Sequence, residues 1–401
     1  MADTAPSSPG RAAPRVALYA SVGPALTQYD VDVEAATLTA RDTVTAPANV
    51  QYAWPHAAGH TLYVASSDSA SGMATGGTRH HVTAWRIDAA SGALVPHGAP
   101  IALPARPIHM TTDIPSTHIL VAFNHPSALR VYRINPDGSP GEEVGQLAAL
   151  DAGIFAHQVR VSPDNRLAIL VTRGHDAAVG KPEEPGALKV FHYLDGRLTR
   201  EVSVAPGGGY GFGPRHLDFH PSQPWVYVAL ERQNQLDVFR RDGDVLSAAP
   251  MFRKDALAVP GERRGRQLVG SVHVHPNGRF VYVANRASDT MAEDGQRVFG
   301  GGENSIAVYA IDPASGEPVL IQHADSHGIH PRTFHIDPSG RLLVVAHIMG
   351  LTVRDGAGVR DVPARLSVFH IGDDGRLEFA RAYDIDVGDR FMWWMGMVAL
   401  G

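Results

Sequence analysis

The sequence predicts an all-β fold, a seven-bladed β-propeller whose ring is closed by pairing of the N- and C-terminal strands. First, one unit recurs along the chain: an apolar strand, then a strand of the type V-x-V-F. Second, the unit occurs seven times in 401 residues, about 57 residues per copy, and strand-rich repeats near this size are typical of propeller blades. Third, an apolar segment follows the last copy, as a closing strand should.

The copy at Gly213–Asp244 shows the geometry of the unit. Pro214–His220 is predicted to be a strand, and after a proline turn Trp225–Leu230 is predicted to be a second, bounded by turn signals. Adjacent antiparallel strands bring their far ends together. Arg215, at the start of the first strand, should therefore face Glu231, at the end of the second.

The same pattern locates the strands of all seven copies. The predicted second strands are Val16–Ala20, Thr61–Ala65, His118–Phe123, Leu167–Val171, Trp225–Leu230, Phe280–Asn285 and Leu342–His347. The predicted third strands are Ala25–Val31, His81–Ile87, Ala128–Ile134, Ala187–Tyr193, Gln235–Arg240, Ser305–Ile311 and Arg365–Ile371.

Inner strands are predicted ahead of six of the second strands. They are Val50–Ala53, Ile108–Thr112, His157–Ser162, Arg215–His220, Val272–His275 and Arg332–Asp337. The first copy lacks one, because the chain enters it at Val16. The apolar segment Phe391–Leu400 is therefore predicted to be the missing inner strand, which closes the ring and removes exposed sheet edges.

Composition excludes several classes of function. The net charge of −6 gives no broad basic surface for nucleic acid, and the absence of cysteine excludes disulfides and thiolate catalysis. No apolar run approaches the length of a membrane span. Residues 1–15 lack the apolar core of a signal peptide and are predicted to be a disordered leader to one domain, 16–401. We expect a cytoplasmic protein, a monomer or weak homodimer, without nucleic-acid or membrane partners.

Four long insertions connect second strands to third strands. They are Ser66–His80, Gly174–Gly186, Ala287–Asn304 and Ile348–Ala364. These connections leave the sheet at the edge where the inner strands begin, and loops of this length are usually functional or disordered. We expect them to wall a pocket on that face.

The same face collects candidate site residues, because the starts of inner strands and the ends of second strands meet at one mouth of the channel. The starts supply His109, His157, Arg215 and Arg332, and the ends supply Asn124, Glu231, Arg286 and His347. Arginines around one carboxylate suit an anionic substrate, and a histidine or glutamate suits proton transfer. A single such residue is more often structural, so the prediction rests on the constellation.

Other signals are weaker. His220 and His275 belong to turns at the far edge and are predicted to be structural. His323, His327 and His330 are spaced in a way that could bind a metal, but no carboxylate follows in a known pattern. We expect neither a metal nor a cofactor, and the motifs G-x-S-x-G, H-E-x-x-H and the P-loop are absent.

Four segments, AHQVRVSPD, GPRHLDFHP with its following LERQN, GRFVYVANRAS and HPRTFHIDPSGRLLVVA, resemble the seven-bladed lactonase family. That family contains bacterial 6-phosphogluconolactonases of propeller type and fungal 3-carboxy-cis,cis-muconate lactonizing enzymes. The resemblance covers nearly the whole chain from Val16 and is most specific in blades four to seven. It matches the family's catalytic histidine to His157 and its glutamate to Glu231. It matches the arginine of the family's Pro-Arg dipeptide to Arg215 and that of its Asn-Arg dipeptide to Arg286.

The chain departs from the family in two places near the site. Many relatives have an Asp-Leu-Gly-x-Asp run where this chain has Thr172–Asp176, and Ala-Asn-Gln where it has Ala346–Ile348. The insertions of blades six and seven are also long. We therefore expect a retained catalytic centre with an altered pocket wall and substrate.

The resemblance implies a lactonase that hydrolyses a sugar-type or carboxylated lactone in carbohydrate metabolism. In the predicted metal-independent mechanism Arg215 and Arg286 hold the substrate's carboxylate or carbonyl oxygen, and either His157 or Glu231 takes a proton from water. The substrate-binding residues would be His109, Asn124, Arg332 and His347. Two alternatives are a muconate-type lactonizing cycloisomerase and a non-catalytic propeller that binds proteins.

Overall fold

The computed structural model describes residues 15–69, 77–261, 266–293, 295–356 and 358–401, and they form seven antiparallel sheets with two additional hairpins. The predicted leader, 1–15, lies outside the described residues except for Arg15, which begins the first strand. Within the described part of the chain, no helix has the length and apolar character needed to cross a bilayer.

The strands of the first four blades alternate with short turns. They are β1 (Arg15–Val22), β2 (Ala25–Asp32), β3 (Thr37–Thr45), β4 (Asn49–Pro55), β5 (Thr61–Ser67), β6 (His80–Ile87), β7 (Leu94–Ala102), β8 (Pro107–Thr112), β9 (His118–Asn124), β10 (Ser127–Ile134), β11 (Pro140–Glu143), β12 (Ala156–Val161), β13 (Leu167–Thr172), β14 (Ala187–Leu194) and β15 (Arg197–Val204). A short 3₁₀ helix, Pro206–Gly209, leads to the fifth blade.

The remaining strands include the two hairpins that the insertions form. They are β16 (Pro214–Phe219), β17 (Trp225–Leu230), β18 (Gln235–Asp242), β19 (Val245–Leu246), β20 (Phe252–Asp255), β21 (Leu268–Val274), β22 (Phe280–Arg286), β23 (Thr290–Glu293), β24 (Gln296–Phe299), β25 (Ser305–Ile311), β26 (Pro318–Asp325), β27 (Pro331–Ile336), β28 (Leu342–His347), β29 (Leu351–Asp355), β30 (Gly358–Val362), β31 (Ala364–Ile371), β32 (Leu377–Ile385) and β33 (Met395–Leu400).

Each blade is one sheet, ordered from the axis outward. The blades are β33-β1-β2-β3, β4-β5-β6-β7, β8-β9-β10-β11, β12-β13-β14-β15, β16-β17-β18 with β19 and β20 outside, β21-β22-β25-β26 and β27-β28-β31-β32. The predicted seven-bladed propeller is therefore confirmed.

The ring closes through its two chain ends, as predicted. β33 pairs antiparallel with β1, from Arg15 opposite Leu400 to Ala20 opposite Met395. The closing strand begins at Met395 rather than at the predicted Phe391. Before Met395 the bonding is divided, because Ser21 of β1 donates to the Trp394 carbonyl while the backbone of Met392 donates to the Ile348 carbonyl in blade seven.

The core consists of seven apolar clusters, one at each interface between neighbouring blades. Second strands such as β17 and β28 are buried along their whole length, because they pack against a neighbouring blade on both faces. Burial on both faces explains why these strands are continuous apolar runs in the sequence.

Hydrogen bonds fasten one blade to the next at equivalent positions. The Tyr227 hydroxyl of β17 donates to the Gly316 carbonyl in the next blade, and Tyr282 of β22 donates to Gly375 in the same way. Nε2 of His220 bonds to the Gly278 carbonyl at 2.8 Å, and Nε2 of His275 bonds to the Gly340 carbonyl. The two histidines thus have the structural role that their turns predict.

A β-bulge interrupts the start of each inner strand from blade two to blade seven. The residues that the bulges leave unpaired are Gln51, Ile108, His157, Arg215, Gly270 with Ser271, and Arg332. A bulge redirects the side chain of the unpaired residue and is often found beside an active site. The bulges therefore set apart one residue, or two in blade six, at the start of six of the seven inner strands.

Removal of residues 390–401 should leave the inner edge of β1 without a partner strand and expose the apolar surface that β33 covers. We expect this truncated protein to aggregate or to lose its cooperative thermal transition, measured by calorimetry and size-exclusion chromatography. Removal of the exposed Gly401 alone is the matched control and should change neither measurement. A soluble truncated protein with unchanged melting would refute closure by this strand.

Candidate functional site

The centre of the candidate site is Glu231, a buried carboxylate that three arginines surround. It directly follows β17, and its side chain is 3% exposed. Oε1 lies 3.0 Å from Nε of Arg215 and also pairs with Arg286, and Oε2 accepts a hydrogen bond from Arg173 at 2.5 Å. Both oxygens of Glu231 are therefore occupied by cations.

These arginines control the ionisation of Glu231. Burial alone would raise its pKa, but Arg173, Arg286 and Arg215 outweigh burial and hold the pKa well below its usual value. Burial and the neighbouring Arg286 lower the pKa of Arg215 to about 9. At neutral pH the cluster is thus one carboxylate among charged guanidinium groups.

His157 occupies the bulge of β12 and lies beside this cluster. Its side chain is buried, and its Nδ1 has no hydrogen-bond partner among the described residues. Its ring centroid lies 5.3 Å from that of His216. Burial and the positive charge of Arg215 lower the pKa of His157 well below its usual value. The imidazole is therefore neutral at pH 7 and able to accept a proton.

Arg332 occupies the bulge of β27 and remains partly exposed at this end of the channel, which we call the upper mouth. Its guanidinium lies 4.3 Å from the centre of the Trp393 ring. Burial, Arg215, Arg286 and Arg106 lower its pKa, but an arginine keeps its charge in proteins. Among the described residues no carboxylate forms an ion pair with it, so Arg332 is available to an anion.

The structure adds His330, which the sequence suggested only as part of a metal motif. Its Nε2 lies 3.0 Å from Arg286, which can only donate, so Nε2 accepts. Its Nδ1 therefore carries the proton and donates to the Ser288 hydroxyl at 2.9 Å. The Asn304 side chain accepts from the backbone of His330. This chain of contacts fixes the orientation of the Arg286 guanidinium.

The structure also adds Arg173, which directly follows β13. Besides its bond to Glu231, its guanidinium lies 4.3 Å from the centre of the Phe155 ring. It belongs to the segment in which the chain departs from the run of its relatives. Its position is equivalent to that of Glu231, the first residue after a second strand. The ends of the second strands predicted Glu231 as a site residue. The same criterion, applied to blade four, predicts Arg173.

Two predicted substrate-binding residues, His347 and His109, make their observed contacts outside the cluster around Glu231. His347 bonds through Nδ1 to the Arg365 carbonyl and through Nε2 to the Ser326 hydroxyl, so both ring nitrogens are used within blades six and seven. His109 lies deeper in the channel, where its ring contacts that of Tyr52 at 4.0 Å. Asn124 is buried at the end of β9. Arg332, the fourth predicted substrate-binding residue, is the one that interacts electrostatically with Arg215, Arg286 and Glu231.

The hypothetical metal motif does not converge on one point. His323 bonds to the Ala256 carbonyl, His327 stacks on Phe379 at 3.7 Å, and His330 contacts Arg286. Within the described ranges, no group of three histidine or acidic side chains is arranged to hold a metal ion.

The insertions of blades four, six and seven border this face. In blade four, Asp176 of the insertion pairs with Arg232, the neighbour of Glu231, at 2.9 Å. The insertions of blades six and seven form the hairpins β23–β24 and β29–β30, which an ion pair between Arg354 and Glu293 joins at 2.7 Å. The insertion Ser66–His80 lies partly outside the described residues, at 70–76.

Comparison with known proteins shows which family this chain resembles. Residues 16–353 match the model described as "Lactonase, 7-bladed beta-propeller". A Bacillus subtilis protein named 6-phosphogluconolactonase is 29% identical over 66% of this chain and 70% of its own length. A protein of the same name from Cronobacter sakazakii is 27% identical over the same shares.

Solved structures show the same fold at lower identity. A periplasmic gluconolactonase of Pseudomonas aeruginosa superposes with a TM-score of 0.71 at 21% identity, covering 96% of this chain and 100% of its own. A Lactobacillus plantarum protein superposes with a TM-score of 0.68 at 19% identity, covering 96% and 99%.

Substitution of Glu231 by Gln should leave three buried arginines without a counter-charge. Breaking such a buried pair costs about 3–5 kcal/mol, so the free energy of unfolding in urea at pH 7 should fall by about that amount. The pKa of Glu231 in the folded protein lies below its value of 4.5 when unfolded. Its contribution is therefore complete above pH 4.5 and is lost as the pH falls toward the folded pKa.

The difference between wild type and Glu231→Gln should accordingly shrink as the pH falls below about 4.5. Glu143→Gln, in an exposed pair with Arg130, is the matched control and should change stability by less than about 1 kcal/mol at every pH. A Glu231→Gln protein as stable as wild type at pH 7 would contradict the role assigned to this carboxylate.

Proposed function

Because the chain belongs to the seven-bladed β-propeller lactonase family, we propose that it hydrolyses an anionic lactone, sugar-type or carboxylated, at the upper mouth. The observation that carries this proposal is the presence of a neutral, buried imidazole, His157, near a partly exposed cation, Arg332, that forms no ion pair with a carboxylate among the described residues. The cation binds the anionic group of the substrate, and the imidazole activates water.

We assign the general base to His157 and not to Glu231. A carboxylate that accepts from three arginines is stabilised in its charged form, and its low pKa makes it a weak base. Nδ1 of His157 has no hydrogen-bond partner among the described residues, and burial together with Arg215 lowers the pKa of this imidazole, so it is neutral and can accept a proton. Glu231 instead holds Arg215 and Arg286 in place.

The reaction follows from these roles. His157 takes a proton from water as the water oxygen adds to the lactone carbonyl carbon. The negative charge that develops on the carbonyl oxygen is stabilised by Arg286, which His330 and Glu231 orient. The bond from that carbon to the ring oxygen then breaks, and the protonated His157 returns its proton to the leaving oxygen. Atoms and charges balance without an added reactant.

This mechanism needs no metal ion or organic cofactor. The arginines around Glu231 occupy both carboxylate oxygens and oppose a divalent cation electrostatically. They favour a lactone that carries a phosphate or carboxylate group. The relatives named 6-phosphogluconolactonase make 6-phosphogluconolactone the first substrate to assay. The predicted cytoplasmic location and the monomeric or weakly dimeric state stay predictions.

Substitution of His157 by Asn tests the base and the activity together. We expect kcat on 6-phosphogluconolactone, measured above the spontaneous rate with a pH indicator, to fall about 10²- to 10⁴-fold. In wild type, kcat/KM should fall only below pH 6.5, because the pKa of His157 lies under that value. The variant should lack this acid limb.

His192→Asn, the same change on the outer part of blade four, is the matched control and should keep wild-type kinetics. The assignment fails if wild type hydrolyses no anionic lactone above the spontaneous rate. It fails equally if His157→Asn keeps both the rate and the acid limb.

Substitution of Arg286 by Ala separates chemistry from substrate selection. Glu231 keeps Arg173 and Arg215 as partners, so the cluster should remain folded. We expect kcat and kcat/KM to fall about 10²- to 10³-fold for every lactone, as with removal of an oxyanion donor.

The comparison is a protein in which a tight turn replaces 290–299, the β23–β24 hairpin. Asn304 is kept, because its side chain holds His330 and Ala287. This change should alter preference among lactones, chiefly through KM. The reverse pattern, a fully active Arg286→Ala and a shortened protein inactive on all lactones, is incompatible with these roles.

A further inference from the structure

The geometry points to a second binding site, for a small neutral polyhydroxylated ligand, at the end of the channel opposite the upper mouth. This lower cavity has a volume of about 740 Å³, and its walls include Tyr52, Trp54, Asp218, Thr333 and His335. Ligand pockets of about 300–1,000 Å³ are usual for small molecules. The site does not rest on the proposed lactone hydrolysis.

A layer of rings separates the lower cavity from the catalytic cluster. The ring of His109 lies 4.0 Å from that of Tyr52 and 5.8 Å from that of His216, which in turn lies 5.3 Å from that of His157. Of these four residues, only Tyr52 lines the lower cavity. Its occupant would therefore bind without reaching the groups proposed for catalysis.

The charged groups in the lower cavity are already satisfied. Arg160 pairs with Asp218 at 3.0 Å, and Asp218 also accepts from the backbone of Val274. Burial alone would raise the pKa of Asp218, but Arg160 and His273 overcome it and lower the pKa to about 2. This clamp between blades four, five and six is complete without a ligand, so it does not by itself indicate one.

Two other polar groups on the wall have no partner within the described residues. The Thr333 hydroxyl belongs to a side chain that is 7% exposed, and Nδ1 of His335 is a buried ring nitrogen. Buried polar groups are almost always hydrogen-bonded, so two unpaired ones on residues of a cavity wall call for a partner that a bound hydroxyl group could supply. Burial lowers the pKa of His335 to about 4, so this imidazole is neutral and can accept or donate one bond.

The charge balance favours an uncharged ligand. Arg160 is neutralised by Asp218, and the other wall carboxylate, Asp113, is taken by Thr117, His118 and Tyr193. An anion would meet two carboxylates and no free cation among these groups. The half-buried rings of Tyr52 and Trp54 offer apolar surface beside the unpaired hydroxyl and imidazole, although Arg160 also lies over the Trp54 ring at 5.1 Å. That combination suits a ring with hydroxyl groups at its edge and C–H groups on its faces.

Calorimetric titration of the full chain with methyl β-D-glucopyranoside and with myo-inositol tests the site. We expect saturable binding with a Kd of about 1 mM or tighter for at least one of them. The double substitution of Thr333 by Val and His335 by Phe should weaken that binding at least about tenfold. It should leave lactone kinetics at the upper mouth within about twofold of wild type.

Arg332→Ala provides the opposite control, because it changes the upper mouth only. The Arg332→Ala protein should still bind the neutral polyols. Any binding of sodium gluconate should be lost in Arg332→Ala and kept when His335 is substituted. Thr333→Val alone should not lower the melting temperature, since removing an unpaired buried hydroxyl is nearly neutral or stabilising. The inference is overturned if no neutral polyol binds up to about 10 mM, if the double variant binds as wild type does, or if Thr333→Val lowers the melting temperature.

Discussion

The antiparallel pairing of β33 with β1 is the contact on which the rest of the structure depends. It makes the first blade complete, so that every blade is flanked on both sides and each apolar face is covered. The same segment contributes to the site, because Trp393 lies just before β33 and its ring packs against the guanidinium of Arg332. The segment from Trp393 to Leu400 thus both closes the ring and contacts Arg332 at the upper mouth.

At the candidate site, three arginines surround a single buried carboxylate, Glu231. Burying an arginine is unfavourable unless a counter-charge compensates for lost hydration, and Glu231 serves Arg173, Arg215 and Arg286 together. The compensation is incomplete, since one negative charge faces three positive ones. An anionic substrate would complete the balance, so we expect the charge excess that favours an anion to destabilise the empty site.

The sequence predicted the blades well because each repeat has the same hydrophobic order. It placed β17, β25 and β28 at their observed bounds. It began β21 at Val272 instead of Leu268 and the closing strand at Phe391 instead of Met395. The site was harder to predict, because strand ends define positions but not directions. His347 ends a second strand as Arg286 does, yet it bonds to Arg365 and Ser326 instead.

Two residues of the site, Arg173 and His330, were not among the site residues that the sequence predicts, and their places in the chain explain why. Arg173 directly follows a second strand, as Glu231 does, but it lies in the segment Thr172–Asp176, which the resemblance assigns to the pocket wall. His330 has no positional signal, since it lies before β27, and only its contact with Arg286 shows its role.

The bulge explains why the chemistry occupies one side of a pseudo-symmetric ring. Every inner strand from β4 to β27 has a bulge at its start, yet the unpaired residue is Ile108 in blade three and Gln51 in blade two, where it pairs with Arg106. Only blades four, five and seven place a histidine or arginine there: His157, Arg215 and Arg332. The fold therefore offers six equivalent positions, and the side chains at three of them, with the strand ends of blades four to six, decide where a substrate is held.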